Sequence, residues 1–162
     1  MDRMPEPRVP RSGLGFDVHR FAESRALWLA GVLFEGEDGL LGHSDGDVVC
    51  HAVADALLGA AALGDLGQHF PESDPAVAGI EGRELLRQVV TLLRAVGATP
   101  SSCDVTVICD RPMIGPRREE MRGELAACLG VPIDRASVKA TRPEGLGLAG
   151  DGVGCLAIAM IV

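Results

Sequence analysis

Two short stretches carry the chemistry-bearing side chains. Asp17 and His19 stand two positions apart in GFDVHRF (15–21), and Asp47, His51 and Asp55 follow at intervals of four in SDGDVVCHAVADALL (44–58). On a strand, residues two apart leave the same face with their backbones roughly 6–7 Å apart. On a helix, residues four apart form one stripe. Carboxylates and imidazoles on the buried side of a small domain are costly unless they pair or bind a cation. Spacing alone admits both outcomes, a salt-bridged Asp–His network or a metal site. The metal reading selects Asp17, His19 and His51, because two nitrogens and one carboxylate suit Zn²⁺ and leave a fourth position open, as in catalytic zinc sites. Asp47 and Asp55 then become candidates for orienting those ligands. His43, just ahead of a helix start near Ser44, is a candidate phosphate contact, since unpaired N–H groups there favour an anion.

Other motifs weigh less. Gly145-Leu-Gly-Leu-Ala-Gly150 fits GxGxxG, but a dinucleotide fingerprint must open a helix inside a βαβ unit. Only twelve residues follow Gly150, and they read as glycines and then a strand, so a flexible turn or lid is expected. There is no GxSxG and no phosphate loop of the Walker type. Cys50, Cys103, Cys109, Cys128 and Cys155 are odd in number and lack a CxxC pair, which points to buried, reduced thiols in a cytosolic chain.

The elements that must position these groups follow from periodicity. Gly13–Phe21 reads as a strand in which Leu14, Phe16 and Val18 alternate with Gly15, Asp17 and His19; the latter face otherwise carries only glycine, which leaves room beside the two polar groups. Ala26–Phe34 reads as a second strand, hairpin-linked to the first. The first long helix runs over 47–63, with Ser44 as its expected N-cap. Asp65–Pro75 reads as a loop, and helices follow over about 82–96 and 117–129. Strands are expected at 103–109, 136–141 and 153–162, the last apolar on both faces and so buried on both. The order β-β-α-α-β-α-β-β predicts an α+β (mixed α/β) single domain whose mixed sheet is covered on one face by about three helices. Residues 1–11 read as a flexible tail without the apolar core of a secretory signal, leaving 12–162 as the folded domain.

Composition narrows the function classes. The chain has 162 residues, 47% of them apolar, enough for an ordinary core. A net charge of −8 and an aromatic content of 3% argue against nucleic-acid surfaces and anionic-membrane patches. The longest wholly apolar run, 155–162, is far short of a membrane span.

GFDVHRF (15–21), GHSDGDVVCHAVADALLGAAALGDLGQHFPESDP (42–75) and VKATRPEGLGLAGDG (138–152) closely resemble the 2-C-methyl-D-erythritol 2,4-cyclodiphosphate synthase family of non-mevalonate isoprenoid biosynthesis. The resemblance runs from about residue 13 to the C-terminus. It implies a cytoplasmic homotrimer with active sites between subunits, a phosphorus–oxygen lyase that turns 4-diphosphocytidyl-2-C-methyl-D-erythritol 2-phosphate into the cyclic diphosphate and CMP. Asp17, His19 and His51 match the family's zinc ligands, and Glu144 matches the ligand of a second divalent ion, Mg²⁺ or Mn²⁺. His43, Thr141 and Arg142 fall at positions that stabilise the reacting phosphates. Ser44, Asp65, Leu66, Gly67, Phe70, Pro71, Glu72, Ser73 and Asp74 match the part that holds the methylerythritol unit. Cys109, Pro112, Met113, Ile114 and Gly115 match the cytidine pocket, and Leu148 is carried over as a further substrate contact.

Four places depart from the family pattern. Met113 replaces a lysine, Asp151 replaces an arginine, Arg142-Pro143 replaces two threonines, and Gly145 stands where a lysine or small residue is usual. The expectation is that the Arg142 guanidinium compensates for charge lost at Met113. Two rival readings remain at this stage, a metal-dependent phosphohydrolase on the same ligands and a metal-stapled binding module without turnover.

Overall fold

The computed structural model describes residues 9–147 and 149–162. The fold is built on a five-stranded mixed sheet in the order β4-β1-β7-β5-β6, made of β1 (Arg11–Ala22), β4 (Gly39–Leu40), β5 (Pro100–Ile108), β6 (Ala136–Thr141) and β7 (Gly152–Ile161). Only β5 and β6 pair in parallel; the other neighbours are antiparallel. Helix α1 (Val48–Ala60) lies across β1 and β7, and α4 (Arg118–Leu129) lies on β6 and β5. Helix α3 (Gly82–Ala95) packs against α1 and α4. The α+β class and the helix-covered sheet agree with the sequence reading.

Several local expectations are corrected. Ala26–Phe34 is not one strand: Ala30 and Gly31 take positive φ (54° and 72°) and split it into a small hairpin, β2 (Leu27–Leu29) and β3 (Val32–Phe34). Two consecutive left-handed residues make the tight turn that suits the twist of paired strands. The stretch 65–75 is not all loop, since Asp65 caps a four-residue helix, α2 (Leu66–His69). Of the expected tail, residues 1–8 lie outside the described residues and Arg11 already belongs to β1. Leu148 also lies outside them. The glycine-rich segment around it forms turns and opens no helix among the described residues.

The sheet's two faces are unlike. Small residues line the covered face: Gly13 and Gly15 of β1 stand opposite Ala159 and Ala157 of β7. The glycine face is not open space, as expected from sequence, but is filled by helix backbone. A Cβ on Gly13 would come within 1.9 Å of the Ala56 carbonyl oxygen, and one on Gly15 within 1.9 Å of that of Ala52. The other face is uncovered in the single chain and is apolar on β1 and β7, while β5 and β6 continue it with Asp104, Thr106 and Lys139. Leu14, Phe16 and Val18 are 64%, 49% and 43% exposed, and Leu156, Ile158 and Met160 between 39% and 49%. In the single chain β7 is therefore buried on one face only, where the sequence reading has it buried on both. All five cysteines are free and buried. Among the described residues no helix is long and apolar enough to cross a membrane.

Candidate active site

Side-chain alternation on β1 turns Asp17 and His19 to the helix side, and the glycines before them let α1 approach closely enough to bring His51 alongside. Asp17 Oδ2 lies 3.1 Å from His19 Nε2 and 3.0 Å from His51 Nδ1. One ligand atom from each of the three falls within 4.8 Å of the others, the sole such grouping of histidine, cysteine and acidic residues among the described residues. Burial by itself would raise the Asp17 carboxyl, but hydrogen bonds with His19 and then His51 hold it well below the usual carboxylate range. The same Asp17 contact raises His19. A charged carboxylate between two imidazoles, half-sequestered from water, is a donor set suited to Zn²⁺ or a similar divalent ion.

The cluster forms one wall of a cleft of about 260 Å³ that also includes His43, Ser44, Asp55, Leu66, Gly67, Phe70, Glu72, Val77 and Leu85. Ser44 is not the N-cap of α1. That position belongs to Asp47, whose side chain accepts from the N–H groups of Val49 and Cys50. Ser44 Oγ instead accepts from Gly46 N–H and lies 3.1 Å from His51 Nε2, so both ring nitrogens of His51 have partners.

Asp47 and Asp55 do not touch the ligand side chains. Besides its two cap bonds, the fully buried Asp47 accepts from Ala30 N–H and Gly31 N–H at 2.8 and 2.6 Å, tying the β2–β3 turn to α1. Three of these four backbone donors share Oδ1 and the fourth, Gly31 N–H, reaches Oδ2. Asp55 accepts from Leu66 N–H at 2.8 Å and so hangs α2 beside the cleft. Burial raises its carboxyl.

Within 65–74, Leu66, Gly67, Phe70 and Glu72 line the cleft, Asp65 and Asp74 cap short helical turns, and Pro71 and Ser73 are exposed. His43 is 57% exposed in its side chain, with Glu72 at 3.8 Å.

A second cavity, sharing no residue with the first, is lined by Cys109, Asp110, Pro112, Met113, Ile114, Gly115, Arg118, Ala140, Thr141 and Arg142. It gathers the residues matched to a cytidine pocket together with Thr141 and Arg142. Arg118 belongs to it but carries no motif, and its place on the first turn of α4 becomes visible only in three dimensions. The loop leading into the cavity is held from behind by Arg111, which donates to Glu37 and Asp38 and lies 3.9 Å over the Phe21 ring. Burial pushes the Cys109 thiol up to about 11, which makes it a poor nucleophile. Glu144 lies outside both cavities, exposed, with φ of 51°.

Comparison with known proteins agrees with this arrangement. The YgbB family model matches residues 10–162. The chain is 49% identical over 152 residues to the 2-C-methyl-D-erythritol 2,4-cyclodiphosphate synthase of Trichlorobacter lovleyi, covering 94% of this chain and 97% of that protein. It is 52% identical over 152 residues to the bifunctional enzyme IspD/IspF of Anaeromyxobacter sp. (strain Fw109-5), spanning 93% of this chain and only 39% of the relative's length. A solved 2C-methyl-D-erythritol-2,4-cyclodiphosphate synthase in its CDP-bound form matches with a TM-score of 0.86 at 37% identity, covering 94% of this chain and all of the other.

Proposed function

The chain belongs to the YgbB family, and we propose that it converts 4-diphosphocytidyl-2-C-methyl-D-erythritol 2-phosphate into 2-C-methyl-D-erythritol 2,4-cyclodiphosphate, releasing CMP as a phosphorus–oxygen lyase of non-mevalonate isoprenoid biosynthesis. The observation that carries the reading is the Asp17–His19–His51 group on the wall of a polar cleft. In the reaction an oxygen of the 2-phosphate attacks the β-phosphorus, the bond from that phosphorus to the oxygen bridging to CMP breaks, and CMP leaves with the bridging oxygen. Attacking and leaving groups are both phosphates, so no strong base is needed. A Zn²⁺ ion held by Asp17, His19 and His51 would supply Lewis acidity at a phosphoryl oxygen.

The chain's own part is to fold one molecule into a ring-closing pose. Ser44, Leu66, Gly67, Phe70 and Glu72 form the polyol end, with Asp65, Pro71, Ser73 and Asp74 shaping the surrounding turn. Cys109, Pro112, Met113, Ile114 and Gly115 form the nucleoside end, with Leu148 assigned to the same substrate. His43 can donate a hydrogen bond to a phosphate oxygen. The cleft is lined by Asp17, Asp55 and Glu72 and by no lysine or arginine, whereas the second cavity is lined by Arg118 and Arg142. A polyanion therefore finds side-chain cations at its nucleotide end, where Arg142 and the Thr141 hydroxyl meet the diphosphate. Glu144 is assigned to a second divalent ion, Mg²⁺ or Mn²⁺, that accompanies the substrate.

A substrate reaching both cavities is best served by two copies of the chain, and the uncovered apolar sheet face supplies a reason to associate. A homotrimer with sites between subunits, working in the cytoplasm, completes the proposal. Purified protein incubated with the cytidylyl substrate, Zn²⁺ and Mg²⁺ should give CMP and a cyclic diphosphate in the phosphorus NMR spectrum. Incorporation of solvent oxygen into a linear product would identify a hydrolase instead, and bound but unchanged substrate a binding module.

A further inference from the structure

We propose that Arg25 is the positioning residue that fixes His43 over the cleft, an inference that rests on the phosphate role given to His43 above. Arg25 ends the tight turn after β1, and its guanidinium reaches across to the segment before α1. One arm donates to the Gly42 carbonyl at 2.8 Å and the other to the Ser44 carbonyl at 2.5 Å. The two acceptors flank His43. The carbonyl of His43 itself accepts from Gly79 N–H at 2.8 Å, so three consecutive carbonyls are tied down and Arg25 holds two of them.

This tether matters because the His43 side chain has little else to fix it. It is more than half exposed, and its only ion-pair contact among the described residues is Glu72 at 3.8 Å. With the ring so lightly held, the direction in which it leaves the chain is set by the peptide planes on either side of it. The same guanidinium also bears on the metal ligands, since the residue whose carbonyl it binds, Ser44, places its hydroxyl 3.1 Å from His51 Nε2. A planar fork with donors on two arms can bridge two carbonyls at fixed separation, whereas an ammonium is a single point of charge. No carboxylate pairs with Arg25 among the described residues, so its side-chain hydrogen bonds go to these carbonyls.

Part of the local fold is held by backbone alone. Gly39 N–H donates to the backbone carbonyl of Arg25, and that bond survives truncation. Arg25→Ala should therefore fold, with kcat lowered about tenfold to a hundredfold, the cost of a catalytic group misplaced by an ångström or so. KM should stay within about threefold, because the polyol and nucleotide contacts remain. Added guanidinium should restore part of the loss, and Arg25→Lys should recover less than wild-type kcat. If Arg25→Ala does not fold, Arg25→Lys carries the test alone.

A second readout needs no turnover. The chain has four histidines, so ¹⁵N-histidine spectra of the Zn²⁺-loaded full-length protein can follow the His43 ring directly. It should give one sharp signal in the wild type and exchange broadening in both variants. A folded Arg25→Ala protein with wild-type kcat and an unchanged His43 signal overturns the proposal, as does full recovery of kcat and signal by Arg25→Lys. If the wild type releases no CMP, the functional reading fails, while the His43 spectra still decide whether Arg25 is its tether.

Discussion

Asp17 and His51 stand 34 positions apart in sequence, yet Oδ2 of one lies 3.0 Å from Nδ1 of the other. The two elements meet at this distance because two glycines precede Asp17 on its own face. Gly13 and Gly15 press against the backbone of α1 at Ala56 and Ala52, five residues and one residue beyond His51. Helix-to-strand separation, and through it ligand geometry, is thus set by side chains that are absent.

That relationship makes Gly15→Ala informative. A methyl at Gly15 would meet backbone atoms of Ala52 and Ala56, which cannot rotate away as a side chain would. The helix must lift or the strand bend, an overpacking cost of about 3 kcal/mol. Urea unfolding should show the loss. The variant that still folds should bind Zn²⁺ more weakly, since His51 moves with the helix while Asp17 and His19 stay on the strand. Wild-type zinc affinity in Gly15→Ala would dissociate the site from this packing.

Removing a ligand without disturbing the packing separates chemistry from fold. His51 lies at the edge of the cleft, and the apolar side of α1, with Val49, Val53 and Leu57, is buried without its help. His51→Ala should keep its circular dichroism spectrum, lose stoichiometric zinc by elemental analysis, and lose turnover by about a thousandfold or more. Stripping the wild type with a chelator should reproduce the same folded, inactive state, and added Zn²⁺ should reverse it only in the wild type.

That Asp17, His19 and His51 share one cluster could be read from spacing because side-chain direction on strands and helices is periodic, whereas spacing left a salt-bridged network and a metal site equally open. Other features depend on contacts that no local pattern encodes. Ser44 resembles an N-cap in sequence, but the fully buried Asp47 takes that position because it must also hold the turn at Ala30 and Gly31. The same turn breaks what reads as one continuous apolar strand. Asp55 reads as a residue that orients the ligands, whereas its carboxylate accepts from Leu66 N–H. Arg25 and Arg118 sit in no motif, and only the folded chain brings them to His43 and to the second cavity.

Arg142 tests whether the second cavity supplies the cation that Met113 does not. Its guanidinium faces a cavity shared with Thr141 and Arg118. A charge-assisted contact to phosphate contributes about 1.5–3 kcal/mol, so Arg142→Ala should lower kcat/KM about tenfold to a hundredfold and weaken CDP binding with it. Arg142→Lys should retain more affinity than the alanine variant. Unchanged kcat, KM and CDP affinity in Arg142→Ala would show that the nucleotide is held by backbone and by the remaining side chains.

The uncovered sheet face yields the last prediction. Leu14 is paired across the strands with Ile158, and Phe16 with Leu156, giving a contiguous apolar surface on the side away from the helices. Exposed patches of this kind mark association surfaces. Ile158→Lys puts a charge into that surface, between Leu14 and Asp104 of the neighbouring strands, without touching the core, because the side chain is already half exposed in the single chain. Light scattering should report a trimer for the wild type and a monomer for the variant. Zinc should still bind, since Asp17, His19 and His51 all come from one chain. On the proposed assembly with sites between subunits, CMP release should nevertheless fall to background. A monomeric Ile158→Lys protein with wild-type turnover would confine both halves of the reaction to a single chain.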